Sequence, residues 1–110
     1  MQSNFLKKLA VNALNDIKGK EITTIKVANL TDLMDYMIIC TGTSSQHVKA
    51  LANNVIVKSK RYNVQPHSVE GHSSAEWVLV DLGEVVVHVM QPETRSFYNL
   101  EQLWTTSSIS

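Results

Sequence analysis

Apolar positions near the start of the chain recur with helical spacing. Phe5, Leu6, Leu9, Ala10, Ala13, Leu14 and Ile17 line one stripe. Ser3 or Asn4 is placed to cap that helix and Gly19 to stop it. Residues 22–28 (ITTIKVA) are rich in β-branched side chains and predict a strand. Leu30–Asp35 reads as a turn. Tyr36–Thr41 is a nearly unbroken apolar run, the pattern of a strand buried on both faces, and Gly42 ends it. Ser44 or Ser45 then caps a second helix over 45–61, with Val48, Leu51, Ala52 and Val55 inward and Lys58, Lys60 and Arg61 at its C-terminal end. A loop or short strand surrounds Pro66 over 63–67, and 71–74 is a loop. Two strands, 77–82 and 85–90, flank Gly83-Glu84, a tight hairpin turn. Pro92 breaks the ladder, 94–104 predicts a last helix, and 105–110 is a polar tail expected to fray. The order α-β-β-α-(β)-β-β-α predicts one α/β (α+β-like) domain over 1–110, a mixed sheet with helices packed on it.

The hairpin carries the sharpest expectation. If Leu82 pairs with Val85 across the turn, Trp77 faces Met90, Leu79 faces His88 and Asp81 faces Val86. One face is then uniformly aliphatic (Val78, Val80, Leu82, Val85, Val87, Val89) and belongs to the core. The other carries Trp77, Leu79, Asp81, Val86, His88 and Met90. Large apolar side chains mixed with polar ones make either a protein-binding patch or a face covered by the last helix through Phe97, Leu100 and Trp104. Pattern alone does not separate the two.

Composition narrows the functional classes. The chain has 110 residues, 44% of them hydrophobic and 18% charged, which fits one globular core. Its formal net charge is zero, which argues against a general binder of DNA or RNA. The balance hides an asymmetry: residues 1–62 hold nine basic and four acidic side chains, residues 63–110 one basic and six acidic. The second half therefore favours a basic partner. No apolar run has the length of a membrane span, and the first residues lack the pattern of a signal peptide. The lone Cys40 forms no internal disulfide, and a cytoplasmic location is the expectation.

Candidate chemistry is thin. Cys40 reads as a buried, inert thiol. His67, Glu70 and His72 match no strong zinc spacing, so no metal and no cofactor is expected. His88, on the amphipathic hairpin face, reads as a contact residue or as a partner of Asp81. Thr41-Gly42-Thr43-Ser44-Ser45 runs from strand to helix and could hold an anion, as in nucleotidyltransferase folds. No Lys follows the glycine and no D-x-D pair supplies metal-binding carboxylates, so a helix cap is the better reading and no catalytic residue is assigned. Lys58-Ser59-Lys60-Arg61 lacks interleaved aromatics and reads as a solvated helix end rather than an RNA site.

Several segments together resemble the Iojap-like ribosomal silencing factor family: Asp16–Ile22, Leu30-Thr31-Asp32, Asp35–Ser44, Gln46–Ala50, Glu70-Gly71, Trp77–Asp81, Val86–Met90 and Pro92-Glu93 with Arg95, Phe97-Tyr98, Leu100-Glu101 and Leu103-Trp104. Lys26 and His47 depart from its pattern. The resemblance covers about residues 5–104. It implies a cytoplasmic, non-enzymatic homodimer with a nucleotidyltransferase-like fold. It also implies binding to the large (50S) ribosomal subunit through large-subunit ribosomal protein fourteen, with a minor contact to ribosomal RNA. The bound factor would block joining of the 30S subunit and repress translation under nutrient limitation. On this reading the protein-binding residues are Trp77, Leu79, Asp81, His88, Met90 and Tyr98, with Trp77 and Met90 as anchors and Asp81 and Glu84 facing Lys or Arg of the partner. A nucleotidyltransferase-like enzyme and an RNA-binding module are the alternatives.

Overall fold

The computed structural model describes residues 2–106. Along them run α1 (Gln2–Asp16), β1 (Lys20–Lys26), β2 (Tyr36–Thr41), α2 (Ser45–Arg61), β3 (Ser68–Glu70), β4 (Trp77–Asp81), β5 (Val85–Met90), α3 (Pro92–Tyr98) and α4 (Leu100–Thr106). The strands form one mixed sheet in the order β1-β2-β5-β4-β3, with β2 and β5 parallel and the other neighbours antiparallel. The hairpin register is the expected one: Trp77 pairs with Met90, Leu79 with His88 and Asp81 with Val86. Leu82 N–H donates to Val85 O at 2.9 Å, which closes a two-residue turn. Of the two turn residues only Gly83 has a positive φ (95°), the pattern of a type II′ turn.

The helices divide between expectation and correction. For α2 the predicted range holds, and Ser44 is the cap: extended at φ −154°, its hydroxyl accepts the His47 N–H at 3.1 Å. In α1, Ser3 and Asn4 lie inside the helix, past the cap position expected of them. At its other end Lys18, not Gly19, takes the left-handed conformation (φ 61°). Gly19 N–H reaches back to Leu14 O (2.8 Å) and Lys18 N–H to Asn15 O (3.0 Å), a Schellman closure. Gly19 is needed for space instead: a Cβ there would stand 2.5 Å from Cys40 Sγ. The edge strands also shift, β1 beginning at Lys20 and β3 lying beyond Pro66.

The single last helix expected over 94–104 is two helices. Asn99 adopts φ 47°, ψ 56° and breaks it, a conformation Asn tolerates better than most residues. The second helix runs on to Thr106; the rest of the tail expected to fray lies outside the described residues.

Two apolar layers result. On one face α1 and α2 cover Ile38, Cys40, Val78, Val80, Val87 and Val89, all fully buried, and the aliphatic hairpin face falls here as expected. On the other, Ile25, Val27, Met37, Ile39 and Met90 form a smaller cluster with Met34, Trp77, Leu100 and Trp104 against it.

Candidate docking surface

The last helix covers part of the second face and leaves the rest open. Leu100 and Trp104 of α4 cover the β1–β2 side. Phe97, expected to help, points away and is 80% exposed. Between α4 and the hairpin a groove of about 460 Å³ stays open, with Leu79, Asp81, Val86 and His88 as its floor and Leu33, Met34, Leu100 and Trp104 among its walls. Leu33 is 85% exposed, so an apolar rim continues onto the surface.

Two of the six predicted contact residues lie deeper than expected. Met90 is wholly buried among the sheet side chains. An anchor reaching outward from that position is therefore corrected to a core residue. His88 is also buried, and its partner is not Asp81: the Trp77 Nε1–H donates to His88 Nδ1 at 2.9 Å. Asp81 Oδ1 instead accepts the Gly83 N–H at 2.8 Å, which steadies the turn. With no carboxylate facing it in a hydrogen bond, the His88 imidazole is pushed down to about 4 by burial.

The remaining four are brought to the surface or to half-burial. Leu79 and Asp81 are half-buried in the groove. Trp77 is half-buried at the centre of an aromatic row. Its ring lies 5.8 Å from that of His88 and 4.8 Å from that of Tyr98, and Phe97 meets Tyr98 edge-on at 4.9 Å. The row thus climbs from the sheet interior to solvent, where Tyr98 is 52% exposed. Glu76 and Glu93 line the depression beside Phe97 and Tyr98. An exposed aromatic pair edged by carboxylates suits a partner offering apolar stems with cationic heads.

Sequence reasoning missed the residue that builds one wall. Arg95, buried in α3, sends Nη1 to Glu21 O (2.7 Å) and Thr41 Oγ1 (2.8 Å), and Nη2 to Thr23 Oγ1 (3.0 Å) and Glu101 Oε2 (2.6 Å). It ties α3 to the edge strand β1, to the end of its neighbour β2 and to the first turn of α4. The only signal in the sequence was a solitary base in an acidic half.

The strand-to-helix turn is committed internally. Thr43 N–H donates to His47 Nδ1 (2.9 Å), and the other ring nitrogen, Nε2, lies 2.7 Å from Ile17 O, where it donates. His47, which departs from the family pattern, therefore joins the turn to the end of α1. Gly42 lies so close to α2 that a Cβ would come 2.7 Å from Val48 Cγ2. Cys40 is fully buried and its thiol is pushed up to about 11, chiefly by burial. Among the described residues no three His, Cys, Asp or Glu side chains gather into a metal site, and no helix is long and apolar enough to cross a membrane.

The fold, then, presents a sheet with one sealed face and one half-open aromatic face. Comparison with known proteins identifies the family. Residues 1–110 match the family model described as ribosomal silencing factor during starvation. The chain is 52% identical over 104 residues to ribosomal silencing factor RsfS of Chromobacterium violaceum, covering 94% of this chain and 85% of that protein. With RsfS of Haemophilus influenzae it shares 40% over 99 residues, 90% of this chain and 97% of that one. A crystal structure of a Chromobacterium violaceum protein superposes with a TM-score of 0.93 at 52% identity, covering 94% of this chain and 87% of that one. The chain belongs to the ribosomal silencing factor family.

Proposed function

We propose that this family member binds the large (50S) ribosomal subunit through its protein fourteen and, from there, blocks joining of the 30S subunit, repressing translation under nutrient limitation. The observation that carries the reading is the Trp77–Tyr98–Phe97 row, open at its outer end and edged by Glu76 and Glu93. Ribosomal proteins are commonly basic, and an acidic aromatic surface is complementary to such a partner. Trp77, Tyr98, Leu79 and Asp81 are the contact residues of this proposal, while His88 and Met90 support them from below. The mechanism is steric and involves no chemical step. A rigid domain held on one subunit occupies the path of the other, so each weakens the other's binding. The same reading makes the chain a cytoplasmic homodimer, which light scattering on the purified protein would test.

Sucrose-gradient sedimentation of 50S subunits with wild type, Tyr98→Ala and Phe97→Ser tests the docking face. Both variants change exposed side chains, so folding should survive. Loss of an aromatic hot spot should cost about 2 kcal/mol or more of binding, some thirtyfold. Wild-type co-migration lost in the variants supports the proposal. Equal binding by folded variants moves the contact to another face, and failure of the wild type to bind overturns the reading.

A further inference from the structure

The opposite side of the molecule carries a second surface of different chemistry. Where the start of α1 meets the end of α2, Phe5 and Tyr62 form an edge-to-face pair at 5.1 Å, yet remain 39% and 59% exposed. Beside them a depression of about 250 Å³ is lined by Lys8, Asn12 and Lys58. Lys58 is neutralised by Asp16. Lys8, Lys60 and Arg61 are exposed and make no ion pair among the described residues. Helix α2 contains no acidic side chain, and its last turn holds Lys58, Lys60 and Arg61. The sequence alone shows a basic cluster without interleaved aromatics; folding brings Phe5, more than fifty positions earlier in the chain, against Tyr62 at its edge.

We infer that this α1–α2 end is a site for single-stranded RNA, one base stacking on Tyr62 and the neighbouring phosphates lying on Lys8, Lys60 and Arg61. An exposed ring among unpaired cations is the arrangement that unstacked bases and their backbone use together. The Asn12 amide in the same depression offers both a donor and an acceptor to a base edge. An acidic peptide would use the cations and leave the ring idle. The site lies across the sheet from the aromatic row, so it stands or falls independently of docking on a ribosomal protein.

Fluorescence anisotropy with a labelled oligouridylate, run over a salt series, tests it. Two to four neutralised phosphates give a slope of log affinity against log salt of about −1.4 to −2.8. Tyr62→Ala should weaken binding about tenfold through lost stacking, and Tyr62→Phe should retain it. Lys8→Glu, an exposed change, should weaken it as well and make the salt slope shallower. Thermal melts confirm that each variant is folded. The proposal is overturned if the RNA does not bind at low salt, if folded Tyr62→Ala or Lys8→Glu binds like wild type, or if polyglutamate of equal charge displaces the RNA as well as unlabelled oligouridylate does.

Discussion

Acidification should weaken this fold through His88, and the size of the effect follows from its surroundings. The imidazole is 6% exposed, and its Nδ1 accepts the Trp77 indole N–H at 2.9 Å. A proton on Nδ1 would place two donors face to face and leave a charge in an apolar layer, so the folded state resists protonation until about pH 4, against an ordinary value of 6.5. In the unfolded chain the ring protonates normally. Between those values the unfolded state binds a proton that the folded state does not, so stability falls as pH drops. The loss is negligible at pH 7.5, about 2 kcal/mol near pH 5 and about 3 kcal/mol near pH 4, with little further change below. Carboxylates titrate in the same range, so the measurement must isolate the histidine. Urea unfolding of wild type and His88→Asn over pH 7.5 to 4 does this. The Asn Oδ1 keeps an acceptor for Trp77 but takes up no proton. His88→Asn should be the less stable protein at neutral pH because ring packing is lost, and its deficit should shrink by about 3 kcal/mol on acidification. A deficit that stays constant with pH would refute the reasoning.

Other substitutions probe the scaffold around the aromatic face. Arg95→Met removes a buried guanidinium from two threonine hydroxyls, a carbonyl and Glu101; it should cost about 3 kcal/mol in chemical denaturation, and the α4 amides should exchange faster than those of α2. Gly19→Ala drives a methyl against Cys40 Sγ; a cost of about 1–3 kcal/mol is expected, and combining it with Cys40→Ala should recover part of that cost by making room. The Cys40 thiol, buried and pushed up to about 11, should resist a disulfide-exchange reagent at pH 8 in the native state and react promptly in urea.

The legible parts of this fold are those in which neighbours along the chain decide the outcome. Strand β2, helix α2 and the hairpin register follow from alternation, a serine cap and a two-residue turn, each complete within a few residues. What was not legible depends on partners far along the chain. Arg95 finds Glu21 and Thr23 more than seventy positions away, and no local spacing announces that. Asn99 breaks a helix in a stretch with neither Gly nor Pro, because the break lets Leu100 and Trp104 turn onto the sheet. His88 lies on the expected face, but the pairing with Asp81, one of the two roles its position offers, does not form. Asp81 is on the neighbouring strand, but its carboxylate is engaged by the turn, whereas the Trp77 indole leans across the pair to reach the ring. Register fixes which side chains share a face; it does not fix which way a long one leans.

The depth of Met90 and His88 changes how the outer face works. A docking surface built on flexible side chains would lose conformational entropy on binding. Here Trp77 is held from beneath by His88 and from the side by Tyr98, so its ring is oriented before any partner arrives. The same hydrogen bond that costs stability in acid is the one that aims the indole. Arg95 does the equivalent for the opposite wall, joining the strands to the first turn of α4, whose Leu100 and Trp104 bound the groove. Two buried polar groups, neither touching solvent appreciably, therefore set the shape that a partner would read. Changes to either should alter docking and stability together, whereas changes to Phe97 or Tyr98 at the exposed end of the row should alter docking alone.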